Sequence, residues 1–405
     1  MRCLGNSKLS ENESAAYERD VAIDALKGLA AFLVVLGHIV TYDAEFHRLY
    51  NVIYSFHMPL FMFLSGCTAV LSHRHHTGSD AAYLKRRFVN IMAPYFVWAF
   101  LLPLLSAGSF GKVNWNAVVL KTFVTNRMFW FLPVLYGLIA AYLCWQKSGR
   151  WLRSQLKRYQ EDEKIGFLVD SFSCVLVVGS IAALMLLTGY QLFRDIVGFA
   201  IPFFGAVMYM EHEWIHQLVY RRVSLIAALV IYLLLIGRFD FDTIAITTSL
   251  LRMVLGMCSV VVLFQLFEKL PMPRFIVRLL SFWGRYSLLI YLLHIQVMNS
   301  LRMPEIGFLS KLTSCLAGRM AIHAMKVEDF LSKLTSCLAC RLAGRMAIHA
   351  MKVEDFYSKL GITVWYCTVS AAVCCICSIM AVALGRIPFI CTMLLGKRGA
   401  GYDKG

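Results

Sequence analysis

Long apolar runs divide this chain, and short polar segments separate them. Ten runs can be marked, at about 22–40, 52–71, 89–107, 128–146, 167–188, 196–210, 223–236, 244–267, 281–300 and 361–385. Most are near twenty residues, the length that carries an α-helix across a bilayer, and none shows the short alternating pattern of a membrane barrel. The pattern predicts an all-α fold, a polytopic transmembrane bundle of about ten helices, with residues 1–300 and 360–396 forming the membrane domain. Residues 301–359 read as an extracytoplasmic loop and 397–405 as a cytoplasmic tail.

Composition supports that class. Of 405 residues, 59% are hydrophobic and only 16% are charged, too apolar for a soluble protein of this size. The formal charge of +16 raises the possibility of nucleic-acid binding. The basic residues, however, sit in short segments between apolar runs, and no basic domain exists to hold a nucleic acid, so none is expected as a partner. Membrane topology explains the charge better. Lys and Arg crowd the segments on the N-terminal side of the bundle, whereas the opposite loops hold only Arg48, Lys112, Lys121, Arg127, Arg194 and Arg238. The expectation is a multi-pass cell-membrane protein with both termini cytoplasmic. The first run reads as a retained helix and not as a cleaved signal. The thirteen cysteines show no paired CxxC metal spacing.

The loop holds a tandem repeat. FLSKLTSCLAGRMAIHAMKVEDF (308–330) is followed by FLSKLTSCLACRLAGRMAIHAMKVEDF (330–356). Copies this alike, two in number, are unlike the diverged units of a solenoid. They read as a recent duplication in a tolerant loop, or else as an amphipathic lid. His323 and His349 are copies of one residue and are not a metal pair.

The polar residues inside the runs carry the chemistry. In IDALKGLAAFLVVLGH (23–38), Asp24 and Lys27 share a helix face. Lys27 and His38 are eleven residues apart, three turns plus a small offset, and share it too, about 16 Å apart along the axis. Lys27 also has a plainer reading, as a lysine snorkelling to the interface. Under the topology above, His38, His57, Trp130 and His294 fall at one level in the outer third of the membrane. Histidine is the usual general base near neutral pH, although three histidines are also a possible open zinc site. No cysteine or carboxylate is clearly at that level, and no metal is expected. At the cytoplasmic level Lys27 is joined by Lys85, Arg86, Arg87, Arg278 and Arg285. Some of these are ordinary positive-inside anchors, but together they suit an anion such as phosphate.

Six segments in order, IDALKGLAAFLVVLGH, SFHMPLFMFLSG, KRRFVNIMAPY, FWFLPVLY, IPFFGAVMY and GRYSLLIYLLH, resemble the acyltransferase-3 family of integral-membrane acyltransferases. The first two are most similar to its fucose 4-O-acetylase-like branch. The resemblance covers about residues 20–300 and the last helix. It implies ten core helices and transfer of an acyl group, usually acetyl from acetyl-CoA, to sugar hydroxyls of surface polysaccharide, peptidoglycan or lipid-linked precursors. It places the catalytic histidine at His38 and basic donor-binding positions at Lys27, Arg86 and Arg87. The reading of depth and helix face adds His57 and His294 to the catalytic candidates and Asp24 and Arg285 to the donor-binding ones, and Trp130 and Ser65 are taken as the acceptor pocket. The family usually has arginine where Lys27 stands, and lysine lacks the bidentate fork. An aromatic is common where Cys67 stands, and the duplicated loop has no family counterpart. The expected partners are acetyl-CoA as donor substrate, a saccharide or glycolipid acceptor and the lipid bilayer, with no tightly bound cofactor. A rival reading is a transporter or flippase with a His/Lys/Asp proton relay. It predicts repeated halves, and the sequence contains none.

Overall fold

The computed structural model describes residues 21–41, 44–107, 109–125, 129–155, 163–243, 246–270, 272–300 and 339–384. Among these residues the chain forms helices and no strand. They are α1 Val21–Val40, α2 His47–Arg74, α3 Asp80–Ala107, α4 Trp115–Val119, α5 Phe131–Gln155, α6 Glu163–Thr188, α7 Gln191–Glu211, α8 Glu213–Tyr220, α9 Arg222–Ile236, α10 Ile246–Lys269, α11 Arg274–Arg285, α12 Ser287–Ser300 and α13 Ala339–Leu384. Helix is what the apolar runs demand, because a lipid environment offers no partner for an unpaired backbone group.

Seven helices are long and apolar enough to cross a membrane: α1, α2, α3, α6, α7, α10 and the Lys359–Leu384 part of α13. The bent pairs α8–α9 and α11–α12 bring the number to nine. The remaining predicted run forms α5, whose second half is polar. The outer helices present apolar side chains outward, among them Leu186 and Leu187 of α6 and Leu233 and Leu234 of α9, each at least 70% exposed. Such a surface needs lipid around it. The all-α membrane bundle read from the sequence is therefore the fold observed.

Three boundaries differ from the sequence reading. The run at 281–300 is not one straight helix. It breaks at Tyr286, and α11 and α12 meet at 84°. The basic side chains Arg274, Arg278 and Arg285 give α11 a polar stripe that an apolar span cannot continue. The run at 223–236 is likewise the second half of a bent pair, at 67°. The last helix begins at Ala339, so the latter part of the second repeat copy is helix continuous with the final span. The first copy (308–330), the start of the second and the tail 397–405 lie outside the described residues.

α1 is central. It packs on α11, α2, α13 and α12, and its contact with α11 is the most extensive between any two helices. Backbones meet there without intervening side chains. A Cβ on Gly28 would lie 1.9 Å from the Leu280 carbonyl oxygen, and one on Gly284 would lie 1.8 Å from that of Asp24. At the same end of the bundle, two carboxylates join neighbouring helices. Asp80 binds His73 (3.1 Å) and Arg150 (3.2 Å). Asp170, 3% exposed, binds Arg153, with His212 Nε2 at 3.1 Å. A carboxylate so buried is tolerated because it is paired.

Gly284→Ala should therefore force α1 and α11 apart. The expected loss is of the order of overpacking, about 1–3 kcal/mol or more. Gly179→Ala in α6, where nothing lies within 4 Å of the added carbon, should leave the melting temperature of the detergent-solubilised protein unlowered, since alanine favours helix. Equal melting curves for the two variants would refute a tight crossing.

Candidate active site

The last turn of α1, the first half of α2 and the middle of α12 converge at one end of the bundle. The imidazoles of His38 and His294 lie with ring centroids 5.0 Å apart. Tyr54 stands edge-on to His38 at 6.4 Å and to His57 at 4.8 Å, so one ring bridges the two histidines. The three histidines that the sequence put at one level thus share one neighbourhood.

Their hydrogen bonds set their chemistry. His57 Nδ1 lies 2.8 Å from the Ile53 carbonyl and His294 Nδ1 lies 2.9 Å from the Ile290 carbonyl. A carbonyl only accepts, so each Nδ1 carries hydrogen and each neutral ring keeps its lone pair on Nε2. Both rings are buried, and His294 Nε2 has no hydrogen-bond partner among the described residues. His38 differs. It is half-buried, and its ring makes no hydrogen bond among the described residues. The arrangement is one accessible imidazole backed by a fixed lone pair.

Trp130 joins from the entry to α5. It stacks on Phe199 at 5.3 Å. The adjoining Phe131 donates its backbone N–H to the Tyr291 hydroxyl (3.3 Å), and the Tyr291 ring is 6.3 Å from His294. Ser65 is not part of this cluster. Its hydroxyl donates to the Phe61 carbonyl (2.8 Å), and it lies about 12 Å along α2 from His57, toward the other end.

At that other end the Lys27 ammonium donates to the Thr68 hydroxyl of α2. One residue further, the Ala69 carbonyl accepts from Tyr83 of α3 (3.2 Å), whose hydroxyl also meets Ser72 (2.9 Å). The Arg87 guanidinium sits 5.0 Å above the Tyr83 ring. Lys27 and Arg87 therefore flank the same turn of α2. Asp24 is buried at the Gly284 crossing, Arg285 is exposed just beyond it, and Arg86 is exposed on α3. None of these partners was legible in the sequence.

Among the described residues, the group of side chains placed to hold a metal is His47, Asp240 and Asp242, all exposed. His38, His57 and His294 are not in that group. The sequence reading also missed Arg252 of α10. It lies inside an apolar run, and its guanidinium sits 5.3 Å over the Phe199 ring, within electrostatic range of His57.

A multi-pass helix bundle with histidines gathered at one end and cations at the other defines a membrane protein built around a polar core. Residues 20–313 match the acyltransferase domain of the acyltransferase-3 family, and the chain belongs to that family. The six ordered segments pointed to the same family. The chain is also similar to the nodulation protein NolL of Sinorhizobium fredii (strain NBRC 101917 / NGR234), 29% identical over 139 residues. That match covers 32% of this chain and 37% of NolL. No solved structure matches the chain.

Proposed function

We propose that the chain is an integral-membrane O-acyltransferase that moves an acetyl group from acetyl-CoA to a hydroxyl of a saccharide or glycolipid. The observation that carries the reading is the His38–His294 pair within the family's acyltransferase domain. His38 takes the proton of the acceptor hydroxyl as that oxygen attacks the thioester carbonyl. The C–S bond breaks, the CoA thiolate leaves, and it recovers the proton from His38. During the step the His294 Nε2 lone pair stabilises the imidazolium of His38. Family membership favours this reading over the transporter, whose repeated halves the sequence lacks.

The donor enters from the Lys27 end. Lys27 and Arg87, with Arg86 and Arg285 nearby, suit the anionic phosphates of CoA, and Asp24 keeps this end from excess positive charge. The separation of about 16 Å along α1 suits an extended pantetheine arm that delivers the thioester to His38. Under this reading the Lys27 end is cytoplasmic and the histidine end faces outward.

His38→Ala should lower acetyl transfer about 10²-fold or more, with insertion and thermal stability unchanged. Transfer of radiolabel from acetyl-CoA to membrane glycolipid measures it, and activity within threefold of wild type would sink the assignment. Lys27→Ala should raise the KM for acetyl-CoA more than it lowers kcat, because a phosphate contact is shared by ground and transition states. An unchanged KM with kcat a hundredfold lower would instead put Lys27 in the chemistry. Orientation has its own check. A cysteine introduced at 44–51 should react with an impermeant thiol reagent added outside intact cells, and one at 75–84 should not; the reverse pattern inverts the topology.

A further inference from the structure

Arg252 is a second charged site inside the membrane, at the end opposite Lys27. It lies six residues into α10, in the sequence ITTSLLRMVLG. A guanidinium at that depth is costly unless it has work to do. Its surroundings are specific. The ring of Phe199, itself buried, lies beneath it and also stacks against Trp130. Asp195, one helical turn before Phe199 on α7, acts on it electrostatically and accepts a hydrogen bond from Gln191 (2.9 Å). His57 is within electrostatic reach. Yet Arg252 Nε is buried and has no acceptor among the described residues. A guanidinium has five N–H donors in a planar fork, and one carboxylate engages at most two of them in bidentate geometry. A buried donor without an acceptor carries a desolvation cost that a bound ligand would remove.

We propose that Arg252, Phe199 and Trp130 form a subsite for an anionic group, a carboxylate or phosphate, on the acyl acceptor. The inference rests on the acyltransferase reading for the word acceptor. The assignment to the acceptor follows from place. The phosphates of a CoA donor belong at the Lys27 end, whereas Arg252 stands with the histidines, where the reacting hydroxyl must be. The aromatic rings suit the apolar face of a sugar, and the guanidinium suits a charge carried beside it. The enzyme thus prefers an acidic or phosphorylated saccharide to a neutral one.

Binding tests this without turnover. The full chain in dodecyl maltoside micelles is titrated with octyl β-D-glucuronide, octyl β-D-glucoside 6-phosphate and octyl β-D-glucoside, with thermal stabilisation as the readout. Wild type should bind at least one anionic glycoside tenfold or more tightly than the neutral one, and the two anionic arms show which group fits. Arg252→Gln should reduce that preference to within twofold, and Arg252→Lys should keep part of it. No preference in wild type overturns the subsite, and this arm needs no variant to fold. A preference that survives in Arg252→Gln also overturns it. Radiolabel transfer from acetyl-CoA to the same glycosides is scored separately. Anion preference without transfer keeps the subsite and counts against acyl transfer, whereas transfer without preference does the reverse.

Discussion

Two glycines let two helix backbones touch, and the position of the histidines follows from that contact. Gly28 of α1 and Gly284 of α11 each face a carbonyl oxygen of the partner helix at a distance no side chain tolerates. The contact fixes α11 against the first half of α1. Two residues after Gly284 the chain turns through 84° into α12, and ten residues after it His294 arrives beside His38. Had 281–300 been a straight helix, the tight crossing and the histidine pair would have to lie on one axis. The bend separates them. One half of the pair anchors α1, and the other supplies a side chain to the end of it.

Much of the bundle was legible because period and length are properties of the sequence. Every apolar run marked along the chain contains helix, and the three histidines share a neighbourhood because residue count along a span converts directly to depth. The bends were not legible. GRYS at 284–287 reads as an ordinary interruption in an apolar run, and the close approach of Gly284 to the Asp24 carbonyl appears only in the folded chain. The start of α13 was missed for a related reason. The second copy is polar enough to read as loop, and its residues from Ala339 onward are helix continuous with the span that follows.

Among the site residues, rank in the sequence tracked visibility and not importance. Lys27 stood out because it interrupts the first apolar run near a histidine, but its partner Thr68 is an unremarked residue on another helix. Ser65 lay in a quoted motif, yet its hydroxyl closes on its own helix, about two turns along α2 from the histidine level. Arg252 was absorbed into a long apolar run, although a lone guanidinium in such a run is a functional signal in its own right. The rule that would have found it is to ask of every charge inside a span which group neutralises it.

The two cationic places answer different chemical needs. Lys27 is bonded to a hydroxyl and flanks a turn shared with Arg87, and Arg86 and Arg285 are exposed at the same end, a spread of charge that suits a large polyanion. Arg252 lies over the Phe199 ring, with one carboxylate nearby and a donor left over, so it suits a single small anion held in one orientation. Under the acyl-transfer reading, the histidines stand between a site built for a diffusible, highly charged donor and one built for a defined acceptor. The tautomer of His294 is fixed by its own helix carbonyl, and a neutral His38 beside it adds no third charge to the membrane interior. His38 becomes charged only when a hydroxyl proton arrives, and His294 Nε2 offers the place where that new charge is met.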